Sequence, residues 1–251
     1  MSNNTANDWP YPRWVAHRGA GKLAPENTLE AVKLGVSHGY RMFECDVKLS
    51  ADGVPFLLHD DTLERTTNGS GIGSNHSWQA LQALDAGSWH SADFVGARIP
   101  SLEEVAHYCI ANGFDLNIEI KPTTDTDQKT GEVVAQHAQR LWQNAAKKPL
   151  LTSFKPEALQ AALDAAPELP RGLLLHELWT GWLETALMLG CSAIVCNHKL
   201  WDTSSATQAK SAGFKLLAYT VNDEAEVQRL SGLGVDGIIT DAIDKLVPLP
   251  A

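Results

Sequence analysis

The sequence predicts a (β/α)8 barrel. Short apolar runs recur near residues 15, 44, 118, 152, 174, 195, 218 and 239, helix-like segments separate them, and 251 residues suit one large α/β barrel or two small domains. Parallel strands need crossover helices, and closing eight of them into a ring removes the sheet edges. The runner-up, an open doubly wound sheet, is weakened by the lack of a glycine-rich nucleotide loop after the first strand.

A polar, proline-broken arm, expected to be loose, precedes WVAH (14–17), a short buried strand that breaks at Gly19. PENTLEAVKLGVSHG reads as a helix entered through Pro25 and ended near Gly39. RMFECDVKLS and VPFLLHD are strands joined by the Asp52-Gly53 turn, a hairpin signal. Residues 61–100, with Gly69, Gly71, Gly73, Trp78 and Trp89, follow no regular pattern. So long a connection is expected to be an excursion with structure of its own. Ser101 is the expected N-cap of SLEEVAHYCIANG. DLNIEIK, LLTSF, RGLLLH, AIVCNH, KLLAYTV and GIITD are then strands. They alternate with helices at 130–142, at KPEALQAALDAA, and at 178–190, 206–212 and 224–234. No low-complexity segment or linker divides the chain, so residues 1–251 read as one domain.

Asp plus Glu is 30 and Lys plus Arg is 20, a net charge of −10. That balance argues against a nucleic-acid binder or a polybasic membrane-surface protein, since both need a positive field. A small anionic substrate stays open, because it feels only its local site. Cys45, Cys109, Cys191 and Cys196 sit in apolar runs, as reduced core thiols do, and Cys191 and Cys196 lack the close partners of a zinc ribbon. The chain has no signal-peptide pattern and no apolar run of membrane-spanning length. The expectation is a cytoplasmic protein without stable membrane association.

Residues 41–60 hold the first candidate chemistry. Side chains two apart on a strand share a face, so Glu44 and Asp46 point together while Cys45 points away. Two carboxylates about 4 Å apart repel by roughly 4 kcal/mol at an effective dielectric of about 20. Either one takes up a proton, or a cation sits between them, or only one faces inward and the other meets an Arg or Lys. Active sites of such barrels lie at the C-terminal ends of the strands. Those ends carry His17 and Arg18, Glu44 and Asp46, Glu119 and Lys121, Ser153 and Phe154, His176, Asn197 and His198, Tyr219 and Asn222, and Thr240 and Asp241. A third acid converging on the pair favours a hard cation, Mg²⁺ or Ca²⁺, over zinc. Neutralisation by Arg18 and Lys121 alone is the alternative. His17 and Arg18 are consecutive, so both reach the mouth only if the chain turns, which Gly19 and Gly21 permit. A guanidinium there suits a phosphate or carboxylate, and two histidines near a metal supply a base and an acid.

Ordered motifs extend these residues over nearly the whole chain. His17-Arg18-Gly19, Pro25-Glu26-Asn27-Thr28, Glu44-Cys45-Asp46-Val47, Asp52-Gly53, and His59-Asp60 followed by Leu63-Glu64-Arg65-Thr66-Thr67 come first. Asn117-Ile118-Glu119-Ile120-Lys121, Ser153-Phe154, Ala218-Tyr219-Thr220-Val221-Asn222 and 234–241 (GVDGIITD) follow. In this order, from about residue 15 to 241, the chain resembles the glycerophosphodiester phosphodiesterase family. The resemblance implies a (β/α)8 TIM barrel with an insertion after the second strand, at about 61–100. It implies one divalent cation held by Glu44, Asp46 and Glu119, with His17 and His59 as the acid–base pair. Arg18 and Lys121 would hold the phosphate, Asn27 would lie near the site, and Phe154 and Tyr219 would bind substrate. The implied reaction cleaves a glycerophosphodiester to sn-glycerol 3-phosphate and an alcohol through a cyclic phosphate, with His17 taking the hydroxyl proton and His59 protonating the alcohol, or the reverse, since the sequence does not tell the two roles apart. Tyr219 stands where the family commonly has Trp, and Ala242 and Ile243 replace a proline-containing segment. Two alternatives are a related barrel phospholipase D-like enzyme acting on lipids and a barrel that binds phosphodiesters without turnover. The first favours an apolar rim, secretion and disulfides. The second is opposed by the presence of all five of His17, Glu44, Asp46, His59 and Glu119.

Overall fold

Parallel strands alternate with helices that pack back on the sheet, and the ring closes where the first strand meets the last. The computed structural model describes residues 9–248, so residues 1–8 of the arm expected to be loose lie outside the described residues. In chain order the strands are β1 (Trp14–Ala16), β2 (Met42–Leu49), β3 (Pro55–Leu57), β4 (Asp115–Ile120), β5 (Leu150–Ser153), β6 (Arg171–Leu175), β7 (Ala193–Asn197), β8 (Lys215–Tyr219) and β9 (Gly237–Thr240). β1 pairs in parallel with both β2 and β9, which closes the barrel. β3 runs antiparallel to β2 and stands outside the eight-stranded ring among the described residues.

The helices are α1 (Leu29–Ser37), α2 (Trp78–Leu81), α3 (Leu102–Asn112), α4 (Asp127–Leu141), α5 (Pro156–Ala165), α6 (Trp182–Met188), α7 (Thr203–Ser211) and α8 (Glu224–Gly232). Ser101 caps α3 as expected: its hydroxyl accepts from the Glu104 amide, and the Glu104 carboxylate accepts from the Ser101 amide. This capping box contributes about 1 kcal/mol. Two helices start later than their sequence suggests. Asn27 adopts a left-handed φ of 58°, so α1 cannot begin at Pro25. It begins after Thr28, whose hydroxyl accepts from the Ala31 amide at 3.1 Å. α6 waits for Gly181, which has φ 91°. Residues 25–28 are thereby freed from helix and given to the barrel mouth.

The interior fills from the bottom. Val15, Met42, Leu150, Leu174, Leu217 and Ile239 form one buried cluster inside the ring, and two larger clusters lie between sheet and helices. Met42, Glu44 and Asp46 share the inward face of β2, while Phe43, Cys45 and Val47 pack outward under the helices. Both faces are buried, which hides the alternation expected of a half-exposed strand. Residues 61–100 follow β3 and contain α2 with two short 3₁₀ turns. They build a separate apolar cluster from Leu63, Leu81, Ala86 and Ile99 on Phe56 and Leu58. No helix among the described residues is long and apolar enough to cross a membrane, and the four cysteines are free.

Candidate active site

Parallel register decides which acids meet. Asp46 of β2 lies opposite Glu119 of β4, and Glu44 lies opposite Asn117. Oxygens of Glu44, Asp46 and Glu119 all come within 4.8 Å of one another, and all three residues are buried. Of the three readings open for the β2 pair, the one with a single inward acid fails.

Asp46 is the best-compensated of the three. Lys121 Nζ lies 3.2 Å from its Oδ1, the Asn27 side-chain amide donates to Oδ2 at 2.8 Å, and its own backbone N–H donates to Asn27 Oδ1 at 3.0 Å. Arg18 Nε is 3.3 Å from Oδ2, an ion pair by distance whose N–H is not aligned for a hydrogen bond. Burial alone would raise the Asp46 pKa, but the charges of Lys121 and Arg18 hold it well below the usual carboxylate range. Lys121 also donates to Glu119 Oε1 at 3.1 Å. Even so, burial and then the Asp46 charge push Glu119 up to about 7. Glu44 fares worst. It accepts the Arg18 backbone N–H at 3.0 Å, while its Oε1 is buried with no hydrogen-bond partner. Burial and the Asp46 charge push it up to about 8. Three carboxylates thus share two close permanent cations, Arg18 and Lys121. The oxygen-only donor set and the orphaned Glu44 oxygen fit a hard divalent cation.

The turn required at His17-Arg18 is present, but glycine is not its only carrier. Arg18 itself takes a left-handed φ of 51°, ahead of Gly19 at 97° and Gly21 at 57°. It is held there by its N–H on Glu44 and by its carbonyl, which accepts from the Asn27 amide at 3.0 Å. His17 Nδ1 bonds Asp241 Oδ1 at 2.6 Å, and Asn222 supports the same carboxylate at 3.1 Å. Because Asp241 is held below its ordinary pKa, it only accepts. The proton therefore sits on His17 Nδ1, and Nε2 faces Glu44 Oε2 at 3.8 Å. Burial lowers the His17 pKa, but the Asp241 bond and the Glu44 charge outweigh it and the net shift is upward. His59, just beyond β3, bonds Asp60 through Nδ1 at 2.7 Å. Burial, reinforced by Arg18 and Lys121, lowers its pKa although Asp46 opposes.

His17, Arg18, Glu44, His59, Glu119, Lys121, Phe154 and Tyr219 line one cavity of about 170 Å³. Asn27 and Asp46 lie buried just behind its wall. Phe154 meets Tyr219 edge-on at 5.8 Å, and the Tyr219 hydroxyl donates to the Leu175 carbonyl. Other strand-end residues do other work: the Ser153 hydroxyl bonds the Ile120 carbonyl, and His198 pairs with Glu226. A larger groove of about 770 Å³ between α4 and α5 is lined by scattered polar side chains and gathers no comparable set of partners. Sequence reasoning gave no role to Asp241, Asn222, Glu26, Asp60 or Arg65. Asn222 and Asp241 were named at the strand ends, and the role of Asp241 could have been assigned from its place at the end of the strand that neighbours His17.

The profile of the glycerophosphoryl diester phosphodiesterase family matches residues 17–245. The chain belongs to this family. A glycerophosphodiester phosphodiesterase of Caldanaerobacter subterraneus is 32% identical over 243 residues, which cover 94% of this chain and 96% of that protein. Among solved structures, an Oleispira antarctica phosphodiesterase in complex with the product sn-glycerol-3-phosphate superposes with a TM-score of 0.87. It is 33% identical, with 94% of this chain and 95% of that chain covered. A glycerophosphodiester phosphodiesterase of Agrobacterium tumefaciens gives a TM-score of 0.78 at 29% identity, covering 92% and 97%. Family membership thus accords with the eight-stranded barrel and with the motif order read from the sequence.

Proposed function

We propose that this chain hydrolyses glycerophosphodiesters to sn-glycerol 3-phosphate and an alcohol, with a divalent cation, Mg²⁺ or Ca²⁺, at Glu44, Asp46 and Glu119. The observation that carries the reading is the buried acid cluster, one oxygen of it unpartnered, opening on a cavity flanked by two histidines and two cationic side chains. The Oleispira antarctica structure holds sn-glycerol-3-phosphate in a barrel of the same shape, which supports the product assignment.

The bound cation supplies Lewis-acid stabilisation of charge growing on the phosphoryl oxygens. Arg18 and Lys121 hold the phosphate and share that stabilisation. The glycerol 2-hydroxyl forms a bond to phosphorus as its proton passes to one histidine. The phosphorus–alkoxide bond breaks as the other histidine gives a proton to the departing alcohol. Water then opens the cyclic phosphate with the two proton roles exchanged. Following the family resemblance, we place His17 as the first base and His59 as the first acid. Before a cation binds, their surroundings favour the reverse order, since the Asp241 bond favours a proton on His17 while burial disfavours one on His59. A cation held at Glu44 would place positive charge beside His17 and favour its neutral form, and Asp241 would remain to orient it.

Residues 61–100 are read as an insertion in one domain that caps the pocket and restricts it to small, water-soluble diesters. His90 ties this segment to the loop after β1 through a 3.1 Å bond from its ring to the Lys22 carbonyl. The test measures choline or ethanolamine released from glycerophosphocholine, glycerophosphoethanolamine and a 1-acyl lysophospholipid, a bulky diester that keeps the glycerol 2-hydroxyl, with glycerol 3-phosphate followed for the first two. Each is assayed after chelation and dialysis, then with Mg²⁺ or Ca²⁺ restored. Cation-restored turnover of the two small diesters, with the lysophospholipid untouched, is expected. Full activity in excess chelator would remove the metal from the mechanism, and equal turnover of the lysophospholipid would remove the cap.

A further inference from the structure

We propose that Arg65, in the segment after β3, is a positioning residue that ties the phosphate-binding Arg18 to the catalytic histidine His59. The inference rests on the functional reading above and assigns a role to a side chain which that reading leaves idle.

The guanidinium of Arg65 is forked between two carboxylates. Its NH1 and NH2 donate to Glu26 Oε2 and Oε1, both at 2.8 Å, while its Nε and NH2 donate to Asp60 Oδ2 and Oδ1 at 2.5 and 3.0 Å. The two oxygens that share NH2 are also the two that reach the site. Glu26 Oε1 accepts from Arg18 NH1 at 2.8 Å, and Asp60 Oδ1 accepts from His59 Nδ1 at 2.7 Å. A continuous chain therefore runs from His59 through Asp60, Arg65 and Glu26 to Arg18.

Each link has a physical consequence. Arg18 and His59 sit on different elements with no hydrogen bond between them, so nothing else in this chain of contacts fixes their separation. Without Arg65, Glu26 and Asp60 would face each other across the mouth as two carboxylates without their shared cation, and repulsion would turn both away. Glu26 would loosen its hold on Arg18. Asp60, no longer neutralised, would draw His59 towards its protonated form or release its ring. Lysine cannot reproduce the arrangement, because a single ammonium does not present two parallel N–H pairs to two planar acceptors. Arg65 is itself partly exposed, with 44% of its side chain accessible, so its replacement leaves the apolar cores intact.

The test compares wild type with Arg65→Gln and Arg65→Lys in the cation-loaded protein. It records kcat and KM for glycerophosphocholine, melting temperature, and the NMR titration of the His59 ring. Both variants should melt close to wild type and lose roughly 10- to 100-fold in kcat/KM, as when partners that orient site ligands are removed. In Arg65→Gln the His59 midpoint should rise by about one unit. The loss should shrink sharply when Arg65→Gln is placed in a His59→Ala background, because residues acting through one another are not additive. An unmoved His59 midpoint overturns the proposal whether or not the wild type proves active on glycerophosphodiesters. Full rescue of rate by Arg65→Lys also overturns it, by reducing Arg65 to a diffuse positive charge. If no diester is turned over while the His59 midpoint still moves, the functional reading fails and the positional link stands.

Discussion

Cation binding should be driven by pH through the two acids that the metal-free site cannot keep ionised. Glu44 is pushed up to about 8 and Glu119 up to about 7, both first by burial and then by the charge of Asp46. A cation requires both as carboxylates, so it must displace whatever protons they hold. Treated independently, these pKa values imply release of about two protons at pH 6, about 1.4 at pH 7 and about 0.6 at pH 8. Apparent affinity for Mg²⁺ or Ca²⁺ should therefore tighten by a factor on the order of 10² to 10³ between pH 6 and pH 8. The sign for stability is opposite in the metal-free protein. Both folded-state pKa values lie above the ordinary carboxylate value, so the folded state holds extra protons from about pH 4.5 to 8 and loses stability as pH rises through that window. The assay is calorimetric titration of metal-free protein in buffers of different ionisation enthalpy, which counts protons, with melting curves over the same range. Carboxylates with ordinary pKa values would release almost nothing above pH 6. A flat affinity and no proton release between pH 6 and 8 would therefore refute the burial-and-repulsion argument for this site.

The histidine roles separate on a nitrophenyl diester that keeps the glycerol hydroxyl. Nitrophenolate leaves with little help, so His59→Ala should cost about 10²- to 10⁴-fold on glycerophosphocholine and far less on the nitrophenyl ester, whereas His17→Ala should slow both. The mirror result in kcat/KM assigns His17 as the acid. Gly21→Ala should destabilise the fold by roughly 1–3 kcal/mol in a denaturant melt. Gly21 has φ 57°, and an added Cβ would lie 2.1 Å from the Asp241 carbonyl oxygen. The same intrusion should lower activity by displacing Asp241 from His17, and a wild-type melting curve would show that the loop yields freely.

What the sequence made legible follows from which contacts are periodic. Eight recurrent strand–helix units announce a ring, and a period of two along β2 aims Glu44 and Asp46 together before any coordinate is known. Adding Glu119 needed only neighbouring parallel strands, since register then places it opposite Asp46. The contacts that were not legible are aperiodic. His17 and Asp241 lie 224 positions apart and meet only because β1 closes on β9. Arg65 comes from a segment whose path no repeat predicts, and only its exit from the β3 hairpin brings it over Glu26. Residues 25–28 misled for a related reason. Proline and a run of good helix formers favour an early start to α1, yet Asn27 must serve Asp46 with both ends of its side-chain amide, and it does so from a left-handed backbone. The need for a turn at Arg18 was likewise readable, but its bearer was not. Glycine is the ordinary residue for positive φ, and here Arg18 adopts it too, fixed by the carboxylate of Glu44 and the amide of Asn27. Helix propensity and backbone preference yield wherever a residue of this mouth is committed to the acid cluster, so the departures from local expectation around α1 mark the site as clearly as the acids themselves.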